Sequence, residues 1–176
     1  MIAILLNDAS FEQDIRELLM AFYPGETFTH KEEEAGEAEL IVRGVRDGNS
    51  FSLDVTPVKK EAVHFALIYP DFSNRFETKN EIKQTLYRLL SAQTGRELPW
   101  GTLTGIRPTK IALTKLYDGW TDEQIETYMR ETYFTSKEKI DLSIDVAERE
   151  RRLLSTIDYE NGYSLYVGIP FCPTTC

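Results

Sequence analysis

The chain has only two cysteines in 176 residues, and both stand at its very end, Cys172 and Cys176. That scarcity excludes the disulfide framework by which small secreted domains hold themselves together. Long apolar runs are missing too: none approaches the roughly 20 residues of a membrane-spanning helix. The apolar start, residues 2–6, has no basic segment before it and meets Asp8 at once, so it reads as a strand and not as a signal peptide. Positive charge is scarce. Twenty Lys and Arg against 29 Asp and Glu leave a net charge of −9, which argues against nucleic acid, whose phosphates want a basic face. With no export signal and two thiols, a reducing cytoplasm is the expected home, with no membrane partner. Internal repeats and low-complexity tracts are absent.

What the chain does have is the composition of a folded domain, 41% hydrophobic and 28% charged, in a length that suits one ordinary domain or two small ones. The pattern predicts an α+β protein. After the first strand, Ser10 and Gln13 make a capping-box pair. Phe11, Ile15, Leu18, Leu19 and Phe22 follow at helical spacing, which predicts a helix over 11–23 ended by Pro24-Gly25. The acidic run Glu32, Glu33, Glu34, Glu37 and Glu39 reads as a solvated loop. Residues 38–56 alternate around Asp47-Gly48, a dipeptide suited to a type I′ hairpin turn. That turn predicts Leu40 opposite Val55, Val42 opposite Leu53 and Gly44 opposite Phe51, with one wholly apolar face.

Residues 63–69 read as another strand, with Phe65, Leu67 and Tyr69 on one face and His64 on the other. Thr78 and Glu81 make a second capping box for a helix carrying Ile82, Leu86, Leu89 and Leu90, ended at Gly95. The first unit, 1–98, is therefore β-α-β-β-β-α with a mixed sheet and its helices on one face. Leu98-Pro99-Trp100-Gly101 marks a boundary, and 99–158 is a helical segment. Pro108 suits the first turn of a helix running to Tyr117. Thr121 with Gln124, and Thr135 with Glu138, cap two more. These turn Ile125, Tyr128 and Met129, then Ile140, Ile144, Ala147 and Leu154, inward. Between boundary and helix, Thr102, Thr104, Gly105, Arg107, Thr109 and Lys110 gather hydroxyls and cations at a helix start, where free N–H groups favour an anion. Arg107 and Lys110 are candidate anion or substrate contacts; the plainer reading is a helix cap with two surface cations paired to nearby carboxylates.

The last stretch is Tyr163-Ser-Leu-Tyr-Val-Gly-Ile-Pro-Phe-Cys-Pro-Thr-Thr-Cys176. A short apolar strand, 165–169, should stop at Pro170, which cannot donate to a ladder. Two thiols then follow four apart. Thiolates are soft ligands for zinc, copper(I) or iron–sulfur clusters, yet two cannot by themselves close a tetrahedral zinc site or a four-iron cluster.

Tyr166-x-x-Ile-Pro-Phe-Cys172-x-x-x-Cys176 resembles the first strand and cluster loop of radical S-adenosylmethionine (SAM) enzymes, most closely the oxygen-independent coproporphyrinogen III dehydrogenase branch. Leu-Thr-Gly-Ile-Arg-Pro-Thr-Lys at 103–110 also resembles a segment found upstream of the cysteines in a bacterial coproporphyrinogen-dehydrogenase-like subfamily. Gly168 departs from the pattern, since the family usually has His there. The resemblance implies that 159–176 opens a radical SAM (βα) barrel, truncated here. It implies that Cys172 and Cys176 are the first two of three ligands to a [4Fe–4S] cluster, the third falling past Cys176, and that Tyr166 lies near bound SAM. It implies a porphyrinogen substrate whose propionates lose CO2 to become vinyl groups in haem biosynthesis, and an electron-donor partner. The 176-residue chain itself is then expected to be inactive, and its terminal strand to fray, to add itself to the sheet edge or to pair with a second copy. Two other expectations stand beside this one: a haem chaperone of the same superfamily, or a first unit that recruits the electron donor.

Overall fold

The computed structural model describes residues 1–58, 63–105, 107–158, 161–163 and 165–168. It is an α+β structure with a five-stranded mixed sheet. Strands β1 (Ile2–Leu6), β2 (Phe28–Thr29), β3 (Leu40–Asp47), β4 (Ser50–Pro57) and β5 (His64–Ile68) lie in the order β2-β1-β3-β4-β5. β1 runs parallel to both β2 and β3, and β3-β4-β5 is an antiparallel meander. Ile2, Ala3, Ile4 and Leu5 are all buried, as expected of a parallel strand covered on both faces. One face carries helices α1 (Glu12–Phe22) and α2 (Arg75–Thr94) over a core of Ile4, Val42, Leu53, Val55, Ile15, Leu19, Phe22, Ile82 and Leu86.

The opposite face of the sheet is where sequence and structure part. The acidic run does not form an open loop. Residues Glu32–Glu37 wind into a 3-10 turn that lays Ala35, and Ala38 just after it, over Ala3 and Leu5. Its carboxylates stay at the surface, where Glu32 pairs with Arg43 and Glu34 with Lys31. The alanines, and not the five glutamates, decide the position of that segment. Along β5 the predicted alternation holds, but the row Phe65, Leu67 and Tyr69 faces solvent, Phe65 being 61% exposed. His64, Ala66 and Ile68 turn toward the helices, and His64 Nε2 meets Gln93 Oε1 at 3.0 Å.

The hairpin register also differs. Val42 pairs with Val55, Gly44 with Leu53 and Asp47 with Ser50. The turn therefore centres on Gly48-Asn49, one residue later than expected. Gly48 has φ +56° and Asn49 is not among the positive-φ residues, the φ signs of a type II′ turn, which wants glycine first. Moving the turn by one residue shifts every pairing by two. With a side-chain period of two, the faces are unchanged, so Val42 and Leu53 are buried as expected.

Three predicted caps shift as well. Asp8, not Ser10, caps the first turn, accepting from Ser10 N; α1 itself has no side-chain cap. Asn74 caps α2 by accepting from Glu77 N, one turn before Thr78, whose buried hydroxyl donates to Asp71 O. Ser136 caps the last helix while Thr135 is buried. In the first two cases the candidate earlier in the chain took the role, and in the third the later one did.

Helices α3 (Thr109–Tyr117), α4 (Asp122–Tyr133) and α5 (Lys137–Leu154) close a second, smaller core of Ala112, Leu116, Ile125, Met129, Ile140, Ile144 and Ala147. The capping box of Thr121 and Gln124 is present in both directions. Residues 165–168 form no strand. No strand pairs with them among the described residues, and a lone strand leaves its backbone groups to water. Ile169 and the cysteines that follow lie outside the described residues. Among the described residues no helix is long and apolar enough to cross a membrane.

Candidate functional site at the junction of the two cores

Residues 98–105 run between the cores and are pinned to both. Leu98 N donates to Tyr87 Oη at 2.9 Å on α2. Thr102 N donates to Tyr133 O at 2.8 Å, and Ser136 N donates to Pro99 O at 2.9 Å. Gly101 holds φ +58°, and a Cβ there would stand 1.8 Å from Tyr133 O. Only glycine lets the connection pass so close to the end of α4. From that end Phe134, itself in the left-handed region at φ 57°, reaches back to the first core. Its ring lies 5.5 Å from that of Tyr87 and carries the Arg88 guanidinium 4.8 Å above it.

Against this connection opens a cleft of about 620 Å³, lined by Glu17, Met20 and Ala21 of α1 and by Trp100, Leu103, Thr104, Gly105 and Pro108. One polar relay crosses its wall. Lys83 Nζ donates to Thr104 Oγ1 at 2.9 Å, and Thr104 donates in turn to Glu17 Oε2 at 2.8 Å. Lys83 is 7% exposed. Burial pulls its ammonium below the usual lysine range, against the opposing pull of the Asp14 and Glu17 carboxylates. For Glu17, burial acts to raise the carboxyl. Hydrogen bonds from Thr104 and Gln13, with Lys83 nearby, outweigh it and leave the group below its ordinary value. The cleft therefore presents one carboxylate, with the Thr104 hydroxyl bonded to it, on a wall that is otherwise mostly apolar.

The predicted residues fall around this cleft rather than in it. Arg107 precedes α3 and is ion-paired to Glu150 of α5, while remaining mostly exposed. Lys110 lies in the first turn of α3, exposed, and its ammonium makes no hydrogen bond or ion pair among the described residues. Tyr166 is 92% exposed. Cys172 and Cys176 lie outside the described residues. The reading of the sequence passed over Lys83 and Glu17. A signal was present for the first: Lys83, Tyr87 and Leu90 share one helical stripe, and a lone cation in an apolar stripe must find a partner.

Comparison with known proteins bears out the family suggested by the cysteine loop: the chain is related to the oxygen-independent coproporphyrinogen-III oxidase-like proteins. The particular relative is HemZ of Bacillus subtilis (strain 168), 35% identical over an alignment of 125 residues that covers 69% of this chain and 25% of that protein. The chain thus spans about a quarter of its relative's length. No family model matches the chain, and no solved structure matches it.

Proposed function

We propose that this chain is the leading part of a cytoplasmic radical SAM protein of the coproporphyrinogen-III dehydrogenase type. In this reading 1–98 and 99–158 are accessory units and 159–176 opens the catalytic barrel. The observation that carries the reading is the pattern Tyr166-x-x-Ile-Pro-Phe-Cys172-x-x-x-Cys176 in a chain 35% identical to an oxygen-independent coproporphyrinogen-III oxidase-like protein.

The donor set fits such a cluster in kind and falls short in number. Cys172 and Cys176 are soft thiolate ligands, two of the three required. When bound, a [4Fe–4S] cluster with SAM supplies the radical chemistry, which belongs to the cofactor. The chain's own residues do the rest. Cys172 and Cys176 would hold two irons. The free ring of Tyr166 is available to lie against SAM. Lys110 offers an unpaired ammonium at a helix start to a porphyrinogen carboxylate, and Arg107 can do so only by giving up Glu150. Because it has two of three thiols and little of a barrel, the 176-residue chain is inactive by itself. The test uses a longer chain that continues through a third cysteine. Supplied with an electron donor and SAM, it should release CO2 from coproporphyrinogen III, and Cys172→Ala or Cys176→Ala should abolish the release. Haem binding without CO2 release would replace this reading by that of a haem chaperone.

A further inference from the structure

The two edges of the sheet are unlike. β2, at one edge, is two residues long, and so short an edge strand gives another chain little to pair with. β5, at the other, is five residues long and pairs with β4 without a bulge. Residues 63–70 hold no Asp, Glu, Lys or Arg, in a chain that is 28% charged. Native sheets place charges, prolines or bulges on an exposed edge to keep other strands off; β5 has none of these. Instead Val63, Phe65, Leu67 and Tyr69 stand in one row on the open face, at 56%, 61%, 48% and 72% exposure.

The ladder fixes which backbone groups this edge offers. The hairpin closes on Asp47 and Ser50, which face each other across two turn residues. Such a closing pair exchanges both its hydrogen bonds, and opposed pairs along the ladder then alternate. Ser50, Ser52, Asp54 and Thr56 therefore bond to β3, and Phe51, Leu53 and Val55 bond to β5. Their partners on β5 are Ile68, Ala66 and His64. The N–H and C=O of Phe65 and Leu67 are left aimed off the edge, where no strand lies among the described residues.

We propose that β5 is the interface of a reversible homodimer, in which it pairs antiparallel with β5 of a second copy about Ala66. This register satisfies every backbone group that the strand aims outward: Phe65 meets Leu67 of the second copy, and Leu67 meets its Phe65. Ala66 lies midway along β5. On the two-fold axis it faces its own counterpart in a non-hydrogen-bonded pair, where the chains come closest and a small side chain fits. The apolar row continues across the axis, with Val63 opposite Tyr69 of the second copy. The same patch serves on both copies, so the contact closes at two. The exposed area says how tight it is. At about 150–250 Å² per aromatic side chain, the exposed parts of Phe65 and Tyr69 supply about 200–330 Å² per copy. Val63, Leu67 and the strand backbone bring this to about 400–500 Å², against about 800 Å² per partner in a standard interface. The dimer therefore forms and dissociates at about 10–100 μM. The contact uses neither the cysteine loop nor the junction cleft, and it stands whether or not the radical SAM reading does. Residues 165–168, which form no strand, take no part in it.

The test is sedimentation equilibrium of the 176-residue chain carrying Cys172→Ser and Cys176→Ser, so that no disulfide joins two copies. It is run in about 1 M sodium chloride, where a Debye length of about 3 Å screens the −9 of each copy. Monomer should give way to dimer as concentration rises. Leu67→Lys and Phe65→Lys each bring two charges into a two-fold contact and should weaken it by about tenfold or more. Val45→Lys, on the same open face but two strands in, should leave it unchanged, and so should Val167→Asp in the terminal segment. Hydrogen exchange on the chain with β5 intact reads the pairing itself. The Phe65 and Leu67 amides should be protected at high concentration and exchange freely on dilution, while the Ala66 amide, bonded to β4, stays protected throughout. A chain still monomeric at about 1 mM would overturn the proposal. So would a dimer that survives both lysine variants or is lost in Val45→Lys or Val167→Asp, or Phe65 and Leu67 amides whose exchange does not depend on concentration.

Discussion

The two cores are held in different ways. The first is built on a sheet whose parallel strand β1 is buried on both faces, under helices that contribute Ile15, Leu19, Phe22, Ile82 and Leu86. The second is three helices around smaller side chains, Ala112, Leu116, Met129 and Ala147 among them. A unit of that size buries too little apolar surface to be secure unaided. Its margin comes from the junction, where Phe134 enters the first core, Gln84 donates to Thr132 O at 2.8 Å, and residues 98–102 are tied to both sides. The difference teaches that the helical segment borrows its stability, and that the junction cleft exists because the loan is made through side chains with space between them.

The largest expected effect tests that asymmetry. Phe22→Ala should cost about 3–5 kcal/mol and unfold both cores together, whereas Met129→Ala should cost about 2–4 kcal/mol and leave the first core folded. Hydrogen exchange on each variant reads this directly; a helical segment that stays protected in Phe22→Ala breaks the comparison. Next, Gly101→Ala should cost about 3 kcal/mol or more, since it adds a left-handed alanine to a collision with Tyr133 O. A melting temperature within a degree or so of wild type would mean that the connection has room to move.

Phe134 sharpens the same point at smaller scale. Phe134→Ala should cost about 3 kcal/mol through lost packing. Phe134→Gly should be the milder change by about 1 kcal/mol, because φ 57° strains alanine and not glycine. The opposite order would mean that the left-handed backbone at 134 carries no such strain.

Lys83 should behave unlike a core residue. Lys83→Met keeps the volume and removes a buried ammonium, so at neutral pH it should be close to neutral or stabilising. The folded-state pKa of Lys83 is lowered, so between that value and the ordinary lysine value of 10.5 the unfolded chain holds more protons. Wild type should therefore gain stability relative to Lys83→Met as pH rises through that window. A flat difference would mean that Lys83 is solvated.

The smallest effect concerns Asp8. Hydrogen bonds from the Ser10 hydroxyl and backbone N–H, then from Arg46, hold its carboxyl at about 2, below the usual 3.8. Asp8→Asn should lower the melting temperature near neutral pH. The difference should be full above pH 3.8 and fade as pH falls toward 2, where the wild-type carboxyl takes up its proton. Persistence of the full difference below pH 2 would assign the effect to shape and not to charge.

Much of this architecture was legible because period and punctuation agree. Phe11 to Phe22 at helical spacing, Thr121 with Gln124, and the alternation of Leu40, Val42, Leu53 and Val55 each carry two independent signals. The misses arise where one signal has two local solutions. Asp47-Gly48-Asn49 allows a turn on either pair of residues, and alternation cannot separate them because the shift is even. Phe65, Leu67 and Tyr69 form an apolar row, but a period of two does not say which face of an edge strand meets the helices. β2 is two residues long and leaves no period to read. Of the cleft, the Thr102–Lys110 segment was visible as a cluster. Its link to Lys83 and Glu17 was not, because contacts across 21 and 87 positions leave no local trace.

The central claim is that the terminal loop carries two of three ligands of a radical SAM cluster. Anaerobic reconstitution with iron and sulfide tests it most directly, applied to the 176-residue chain beside a longer one that continues through a third cysteine. The account predicts about four irons per longer chain with SAM cleavage, both lost in Cys172→Ala and in Cys176→Ala, and neither in the 176-residue chain. Stoichiometric four-iron binding with SAM cleavage by the 176-residue chain alone, or an intact cluster in either cysteine variant, would contradict it.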